Sequence, residues 1–107
     1  MMTKGQAALD MLKQQIAELD QLLVDARKNL NTVAAGEKLV KWKARAVPLI
    51  AQHFGPEEGR RFSETKPGPS FSNDLLEELS DDVELYRDYL VALADRVRKD
   101  GDAAAAP

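Results

Sequence analysis

His53 is the only histidine in the chain, so it is the first side chain to consider for acid–base or metal chemistry. A metal or proton-transfer site would have to combine its imidazole with nearby carboxylates such as Glu57 and Glu58. Their spacing matches no zinc motif, whereas a histidine at a helix end is favoured by the helix dipole alone. We therefore interpret His53 as a helix-terminal residue and predict no metal site.

Ser63 and Lys66 reproduce the Ser-x-x-Lys spacing of some acyl-serine enzymes, in which the lysine lies one helical turn from the nucleophile. Pro67 follows Lys66 directly, and a residue before proline avoids helical backbone angles. The two side chains are therefore not expected to share a helix face. The glycines form neither a dinucleotide-binding nor a P-loop pattern. The sequence thus predicts no catalytic residue, no cofactor and no enzymatic activity, and a small hydrolase that uses His53 is the least favoured alternative.

An acidic cluster begins the last third of the chain, and such a cluster can serve as a cation site or as a general acid–base pair. Its spacing lacks the glycine of an EF-hand loop, and carboxylates in the first turns of a helix are favoured by the helix dipole alone. We interpret the cluster as a solvated acidic face. Its members are Glu77, Glu78, Asp81, Asp82 and Glu84.

Trp42 lies among basic residues, an arrangement in which nucleic-acid bases can stack on the ring. Helical spacing instead places Trp42 on one apolar stripe with Leu39 and Ala46, so we predict a core tryptophan. The neighbouring cations form a separate row that would face the acidic last helix, an acidic partner or water. This basic row consists of Lys38, Lys41 and Arg45.

The composition predicts a single small domain with a cytoplasmic location. The 107 residues contain no cysteine, which excludes disulfides and cysteine-ligated zinc. The net charge is −3, but residues 36–71 carry +3 and residues 72–107 carry −6, so we expect these two parts to attract each other. An acidic total argues against nucleic-acid binding, and no apolar run is long enough to span a membrane.

The clearest pattern is a heptad stripe that continues for about four heptads near the N-terminus and predicts a long first helix. Extra apolar positions widen this stripe beyond the narrow seam of a two-stranded coil. A wide stripe favours packing against two helices of a bundle over a dimeric coiled-coil stem. The stripe consists of Leu9, Leu12, Ile16, Leu19, Leu23, Ala26, Leu30 and Val33, and the extra positions are Met11, Leu22 and Val24.

Poor helix formers divide the middle of the chain. Asn31 and Gly36 predict a bend at residues 33–36, and a second helix is expected over residues 37–53. Pro48 lies inside that helix, where it should kink the axis or leave a carbonyl unpaired.

A proline at the first helical position then predicts a short helix over residues 56–62. The residues at 66–70 resist both helix and strand, so we expect a surface loop whose far end is anchored by Phe71.

The last helix is expected to begin between residues 72 and 74 and to continue to Lys99. Ser80 could instead act as an N-cap that splits this segment in two. Gly101 is expected to end the helix, which leaves a flexible alanine-rich tail at residues 102–107.

Three short motifs occur in order before the last helix: the run at residues 39–45 around Trp42, the pair Phe54-Gly55 and the pair Arg61-Phe62. Over residues 10–98 the chain resembles the small helical module that precedes effector domains, such as TIR-like domains, in bacterial antiphage-defence proteins. The resemblance implies a role in assembly or in sensing a partner, with catalysis elsewhere. The chain departs from that pattern because it ends where the effector domain would begin.

Together these patterns predict an all-α fold, an antiparallel three-to-four-helix bundle with a long heptad-patterned first helix, in one domain over residues 1–101. The predicted function is a non-enzymatic protein–protein interaction module, an adaptor or an oligomerisation domain, whose partner is another protein or itself. The alternative is an acidic regulatory inhibitor, similar to an antitoxin, whose last helix masks a basic surface of its partner. The predicted interface consists of Met11, Leu22, Val24, Lys38, Lys41 and Arg45. The predicted core consists of Leu12, Ile16, Leu19, Leu23, Leu39, Trp42, Ile50, Phe54, Leu79, Tyr86, Leu90 and Leu93.

Overall fold

The structure is a computed structural model that describes residues 4–68 and 74–105, with side chains described for residues 5–68 and 74–99. The described residues form four helices, α1 (Lys4–Asn29), α2 (Thr32–Phe54), α3 (Pro56–Glu64) and α4 (Leu75–Ala105). These ranges contain no strand, so the predicted all-α class is confirmed. None of the helices in the described part of the chain has the apolar length that a bilayer crossing requires.

The chain reverses between α1 and α2 in a two-residue turn, Leu30-Asn31. Leu30 adopts a left-handed backbone conformation with φ of 55°, which is uncommon for a residue with a side chain. The side chain of Asn31 accepts a hydrogen bond from the N–H of Ala34 at 3.1 Å and so caps α2. The predicted bend at residues 33–36 is therefore wrong, because the cap starts α2 earlier and Gly36 lies inside the helix.

The three long helices form a bundle in which α1 packs antiparallel against both α2 and α4. Two ion pairs mark these contacts, Arg45 with Glu18 on α1 at 3.8 Å and Arg87 with Asp20 on α1 at 3.0 Å. Helices α2 and α4 touch each other over a much shorter length. The predicted bundle is thus confirmed. Because α2 and α4 make little direct contact, the side of the bundle between them has room for the short helix α3.

Helix α3 folds back along α2 and covers the open α2–α4 side next to the C-terminal half of α2. Gly55, with φ of 100°, makes the reversal, and Pro56 follows at the first helical position as predicted. Phe62 is fully buried and packs edge-on against Trp42, with ring centroids 6.0 Å apart, and against Tyr86 at 5.8 Å. The short helix therefore contributes a central core residue, which the sequence patterns did not predict.

The core follows the predicted apolar stripes for the most part. Trp42 is 1% exposed, as predicted, and its indole N–H has no hydrogen-bond partner among the described residues. The positions predicted as core but only partly buried lie at the edges of the stripes, and they are Ile16, Leu23 and Phe54. The predicted core residues that are buried are Leu12, Leu19, Leu39, Trp42, Ile50, Leu79, Tyr86, Leu90 and Leu93.

Helix α4 is one continuous helix. The Asp74 carboxylate accepts from the N–H of Leu76 at 2.9 Å at its start, and the helix passes through Ser80 without a break. The predictions that Gly101 ends the helix and that a flexible tail begins at residue 102 are wrong, because α4 continues to Ala105 through alanines, the strongest helix formers. The prediction that Phe71 anchors the preceding loop lies outside the described residues.

Gly59 allows the close approach of α3 to α2. A Cβ atom at this position would lie 2.7 Å from the Cβ of Ala51, so Gly59→Ala forces the helices apart. We expect it to lower the free energy of unfolding by about 1–2 kcal/mol, since overpacking exceeds the gain in helix propensity. Gly36→Ala is the matched control, because its Cβ would meet nothing within 4 Å, and it should stabilise by up to about 1 kcal/mol. Urea unfolding of both variants measures the difference, and equal effects would contradict this account.

Pro48 occupies an exposed position inside α2 and cannot donate a hydrogen bond to the carbonyl of Ala44. Pro48→Ala restores this donor at little packing cost. We expect stabilisation by about 2 kcal/mol, from a helix penalty of roughly 3 kcal/mol less the entropy gained by the unfolded chain. Pro67→Ala, outside the helices and exposed, should give no gain in the same thermal unfolding measurement.

Candidate interaction surface

The residues considered for catalysis do not assemble into a site. His53 lies half-buried in the last turn of α2, where the sequence placed it. Within the described residues, no group of three or more potential metal-ligating side chains comes together. Ser63 lies in α3 and its hydroxyl donates to the carbonyl of Arg60 at 2.7 Å, whereas Lys66 follows the helix end. The two residues of the Ser-x-x-Lys spacing therefore do not share a helix face.

The basic row of α2 faces α1. Lys38 and Lys41 are exposed, and Arg45 pairs with Glu18. Together with Asp25 these residues line a shallow depression of about 350 Å³ between the two helices. Of the three environments predicted for the row, the acidic last helix is wrong, because the row lies beside the carboxylates of α1, whereas Lys38 and Lys41 do face water.

The middle and the end of the chain are joined by an ion pair, but the signs of its two charges are opposite to the net charges of the two segments. The ion pair that joins the two parts has its carboxylate, Glu58, in the middle and its cation, Arg96, at the end. The net charges of the two segments therefore do not indicate which of their side chains meet.

The three apolar interface positions predicted on α1 separate in the structure. Met11 belongs to the core, so its assignment to the surface is wrong. Leu22 is half-buried and packs against the core from the α1–α2 side, and Val24 is 52% exposed. The reason is that α1 packs against two helices, so a wide part of its circumference is covered.

A second apolar stripe runs along the outer face of α2, and we call it the outer lane. Val40 is 71% exposed at its centre and Val33 is 68% exposed at one end. The lane consists of Val33, Gly36, Val40, Ala44 and Val47. Ala51 continues it toward the C-terminal end of α2, where α3 covers it through the close contact at Gly59. One half of a continuous stripe is thus covered by a helix, and none of the four described helices covers the other half.

The uncovered half opens into a groove of about 510 Å³ between α2 and the first turns of α4. One wall is formed by the outer lane from Gly36 to Val47, and the other by Leu79 and Tyr86. Three charged side chains also line the groove, Lys43 from α2, Asp82 from α4 and Lys66 after the end of α3. An apolar groove between helices, with few charges, is the shape that receives an amphipathic helix.

Lys43, in the wall of the groove, forms a hydrogen bond to the residue that follows α3. Its Nζ donates to the carbonyl of Thr65 at 2.5 Å and lies 4.9 Å from the centre of the Tyr86 ring. Burial and the charge of Lys66 lower the pKa of the Lys43 ammonium. On the opposite wall, burial and the carboxylates of Glu78 and Asp81 raise the pKa of Asp82. The groove thus carries a cation on α2 and a carboxyl on α4.

Glu58 locks α3 onto α4. Its carboxylate is 7% exposed and accepts hydrogen bonds from the hydroxyl of Tyr89 and from Arg96 at 2.7 Å. Burial alone would raise the pKa of Glu58, but the hydrogen bonds and the charges of Arg96 and Arg61 outweigh it and hold the pKa below its usual value. Burial and the bond to Glu58 raise the pKa of Tyr89 to about 12. The hydrogen bonds of Glu58 to Tyr89 and Arg96 therefore hold α3, whose end bounds the groove, in place on α4.

A sequence signal for the outer lane does exist. Val33, Val40 and Val47 are spaced by seven residues, which places them on one face of a helix. The signal was hidden because the deeper stripe through Trp42 accounts for helix two as a single amphipathic helix. Val33 was also assigned to the first helix, which ends before it.

Comparison of the chain with models of known protein families, with curated proteins and with solved structures returns no match.

The buried carboxylate makes stability depend on pH. Ionised Glu58 stabilises the fold above the ordinary glutamate pKa of about 4.3, and this contribution is lost as pH falls through its lower folded-state pKa. Tyr89, with its pKa raised to about 12, contributes below about pH 10, and this contribution is lost as pH rises toward that value. We measure the free energy of unfolding by urea as a function of pH. Glu58→Gln should reduce the fall in this free energy at acid pH, and Tyr89→Phe should reduce its fall at alkaline pH.

Glu57→Gln is the matched control for this experiment, because Glu57 is exposed and pairs only with Arg60 on its own helix. It should leave both limbs unchanged. Glu58→Ala should cost about 1–3 kcal/mol at pH 7, since it leaves Tyr89 without its acceptor. A Glu57 variant as damaging as the Glu58 variant would refute the lock.

Proposed function

We propose that the protein is a non-enzymatic interaction module that receives a helix in the open half of its outer lane. One observation carries this proposal: Val33 and Val40 are about two-thirds exposed or more beside an apolar groove of about 510 Å³. Apolar surface left in water costs about 25 cal/mol per Å², so a contiguous stripe of this kind is characteristic of a binding surface.

Helix α3 is an internal example of the proposed binding mode. It lies along the same stripe of α2, approaches it closely at Gly59 and inserts Phe62 into the core. It covers only the C-terminal half because it has nine residues. A partner helix that lies on the N-terminal half would continue the position of α3 and complete a fourth helix of the bundle.

The groove is built from elements that are already fixed. Lys43 holds the end of α3 through Thr65, and the Glu58 network holds α3 on α4. A preformed groove loses little conformational entropy when it binds, so more of the contact energy is available for affinity. This supports a docking function for the surface.

The basic row, Leu22 and Val24 stay predictions as a second interface. The carboxylates of α1 balance much of the row's charge, since Arg45 pairs with Glu18 and Asp25 lies beside the same depression. This makes the row a weaker candidate for an acidic partner than the sequence indicated. The cytoplasmic location and the resemblance to modules that precede effector domains also stay predictions.

The alternative function, an acidic inhibitor that masks a basic partner, is supported by the outer face of α4. Four exposed carboxylates recur there at helical spacing, and the raised pKa of Asp82 reflects burial and the neighbouring carboxylates. These exposed residues are Glu77, Asp81, Glu84 and Asp88. Binding through this face would weaken steeply with salt, whereas binding through the outer lane would not.

Site-specific photo-crosslinking in a cell lysate, irradiated at low and at high salt, tests the proposal. A benzophenone amino acid at Val40, in the outer lane, should give protein adducts whether the lysate is irradiated at low or at high salt. The same amino acid at Val24, an exposed valine on α1, is the matched control and should give few adducts. Adducts from Glu84 alone that form at low salt and fail to form at high salt would instead establish the acidic alternative. Adducts from none of the three positions would remove the interaction function.

A further inference from the structure

Lys43 is the one half-buried cation among the side chains that the structure describes. Every other lysine and arginine of that set is exposed. The Nζ of Lys43 donates to the carbonyl of Thr65 and lies 4.9 Å from the centre of the Tyr86 ring. A carbonyl and a ring face orient the ammonium, but both are neutral and leave its charge uncancelled. A cation withdrawn from water is usually paired with an anion.

The groove supplies a second cation beside Lys43 and no anion that pairs with it. Lys66 lines the same groove, at the end bounded by α3. Burial, and after it the charge of Lys66, lower the pKa of Lys43. Within the described part of the chain neither lysine forms an ion pair, and Asp82 on the opposite wall pairs with neither of them. This end of the groove therefore carries an uncompensated positive charge.

The apolar surface next to these lysines has the dimensions of a helix. The outer lane extends over residues 33–47, about 21 Å at 1.5 Å per residue. Lys43 lies three residues after Val40, so the two side chains are neighbours on the surface of α2. A bound helix of about 15 residues would cover the lane, whereas a small amphiphilic molecule would cover only part of it. The lane thus favours a helix, and the lysines favour one that carries an anionic group.

We propose that the occupant of the open half of the outer lane is an amphipathic helix of another protein, whose apolar face ends in a carboxylate that docks on Lys43 and Lys66. This inference rests on the proposed interaction function and adds the chemistry of the partner. The carboxylate would accept from the Lys43 ammonium, which has three donors and gives one to Thr65. A contact to a half-buried lysine is screened less by salt than one between exposed charges, so binding is retained at high salt.

Selection from a displayed peptide library tests the chemistry of the occupant. The probe is a library of helical peptides of about 15 residues in which the apolar and charged positions are varied. Peptides selected on the purified protein should share an apolar stripe with spacings of three and four residues and an aspartate or glutamate at one end of that stripe. Selected peptides without this carboxylate, or with a lysine or arginine in its place, would overturn the inference.

Fluorescence anisotropy of one selected peptide then locates the contact. Lys66→Gln should weaken binding about fivefold, and replacement of the peptide carboxylate by its amide should have no further effect on this variant. Lys66 is exposed and forms no hydrogen bond in the described residues, so this variant folds even if Lys43→Gln loosens the end of α3. Lys38→Gln, on the α1 side of α2, is the matched control and should bind like the wild type. Equal affinities of the Lys66 variant, the Lys43 variant and the wild type would overturn the inference.

The inference and the proposed function fail in different ways. Val40→Gln should weaken binding about tenfold, because it removes apolar contact without adding charge, and Val24→Gln on α1 should not. If Val40→Gln weakens binding but the lysine variants do not, the carboxylate is excluded and the interaction function is intact. If Val40→Gln has no effect, or no peptide is selected, both proposals are wrong.

Decanoate, a small amphiphile with the same carboxylate, separates the helix from a lipid-like ligand. It should bind at least about tenfold more weakly than the selected peptide, because it covers less of the lane. Equal affinity of decanoate would overturn the assignment of the occupant as a helix.

Discussion

The close approach of α3 to α2 controls the arrangement of the whole bundle. Gly59 lies so near Ala51 that a single methyl group would not fit, and this distance lets Phe62 reach Trp42 and Tyr86. The three rings form a cluster that joins α2 and α4, which have little direct contact with each other within the described residues. The α2–α4 side of the bundle is therefore closed by one ring on a nine-residue helix, and it is closed only where that helix lies.

The polar groups around this cluster fix α3 from both ends. Near its start, Glu58 accepts hydrogen bonds from Tyr89 and Arg96, which offset the cost of burying a carboxylate. After its end, Lys43 holds the Thr65 carbonyl. A short helix is marginal by itself, so these contacts, together with the buried ring, define where it stops and where the open half of the outer lane begins.

The location of the interaction surface follows from incomplete coverage. Helices α1 and α2 each have more than one apolar face, but α1 covers its faces against two neighbours, whereas within the described residues α2 covers its second face only against α3. Val40 is exposed because α3 ends before it, although its residue type is the same as that of buried Val83. Exposure of an apolar stripe is here a property of helix lengths and not of composition.

The sequence by itself determined the number of main helices and the inward faces of most of them. The heptad stripe, the burial of Trp42 and the helix start at Pro56 depend on local spacing, so they were predictable. The bend at residues 33–36 was misplaced because Asn31 can cap a helix or interrupt one, and the sequence does not say which. Gly101 was misread for a similar reason, since one glycine costs less than the following alanines restore.

Only the tertiary structure decided which of two apolar stripes on α2 is covered. Both stripes have helical spacing, and the spacing of apolar residues shows which of them share a helix face but not which other helix packs against that face. Met11 became core and Val40 became surface because helix packing is set by the lengths and crossing points of all four helices. The ion pairs of Glu58 and Arg45 were equally hidden, since they join residues far apart in sequence whose distances are fixed only when the bundle is assembled.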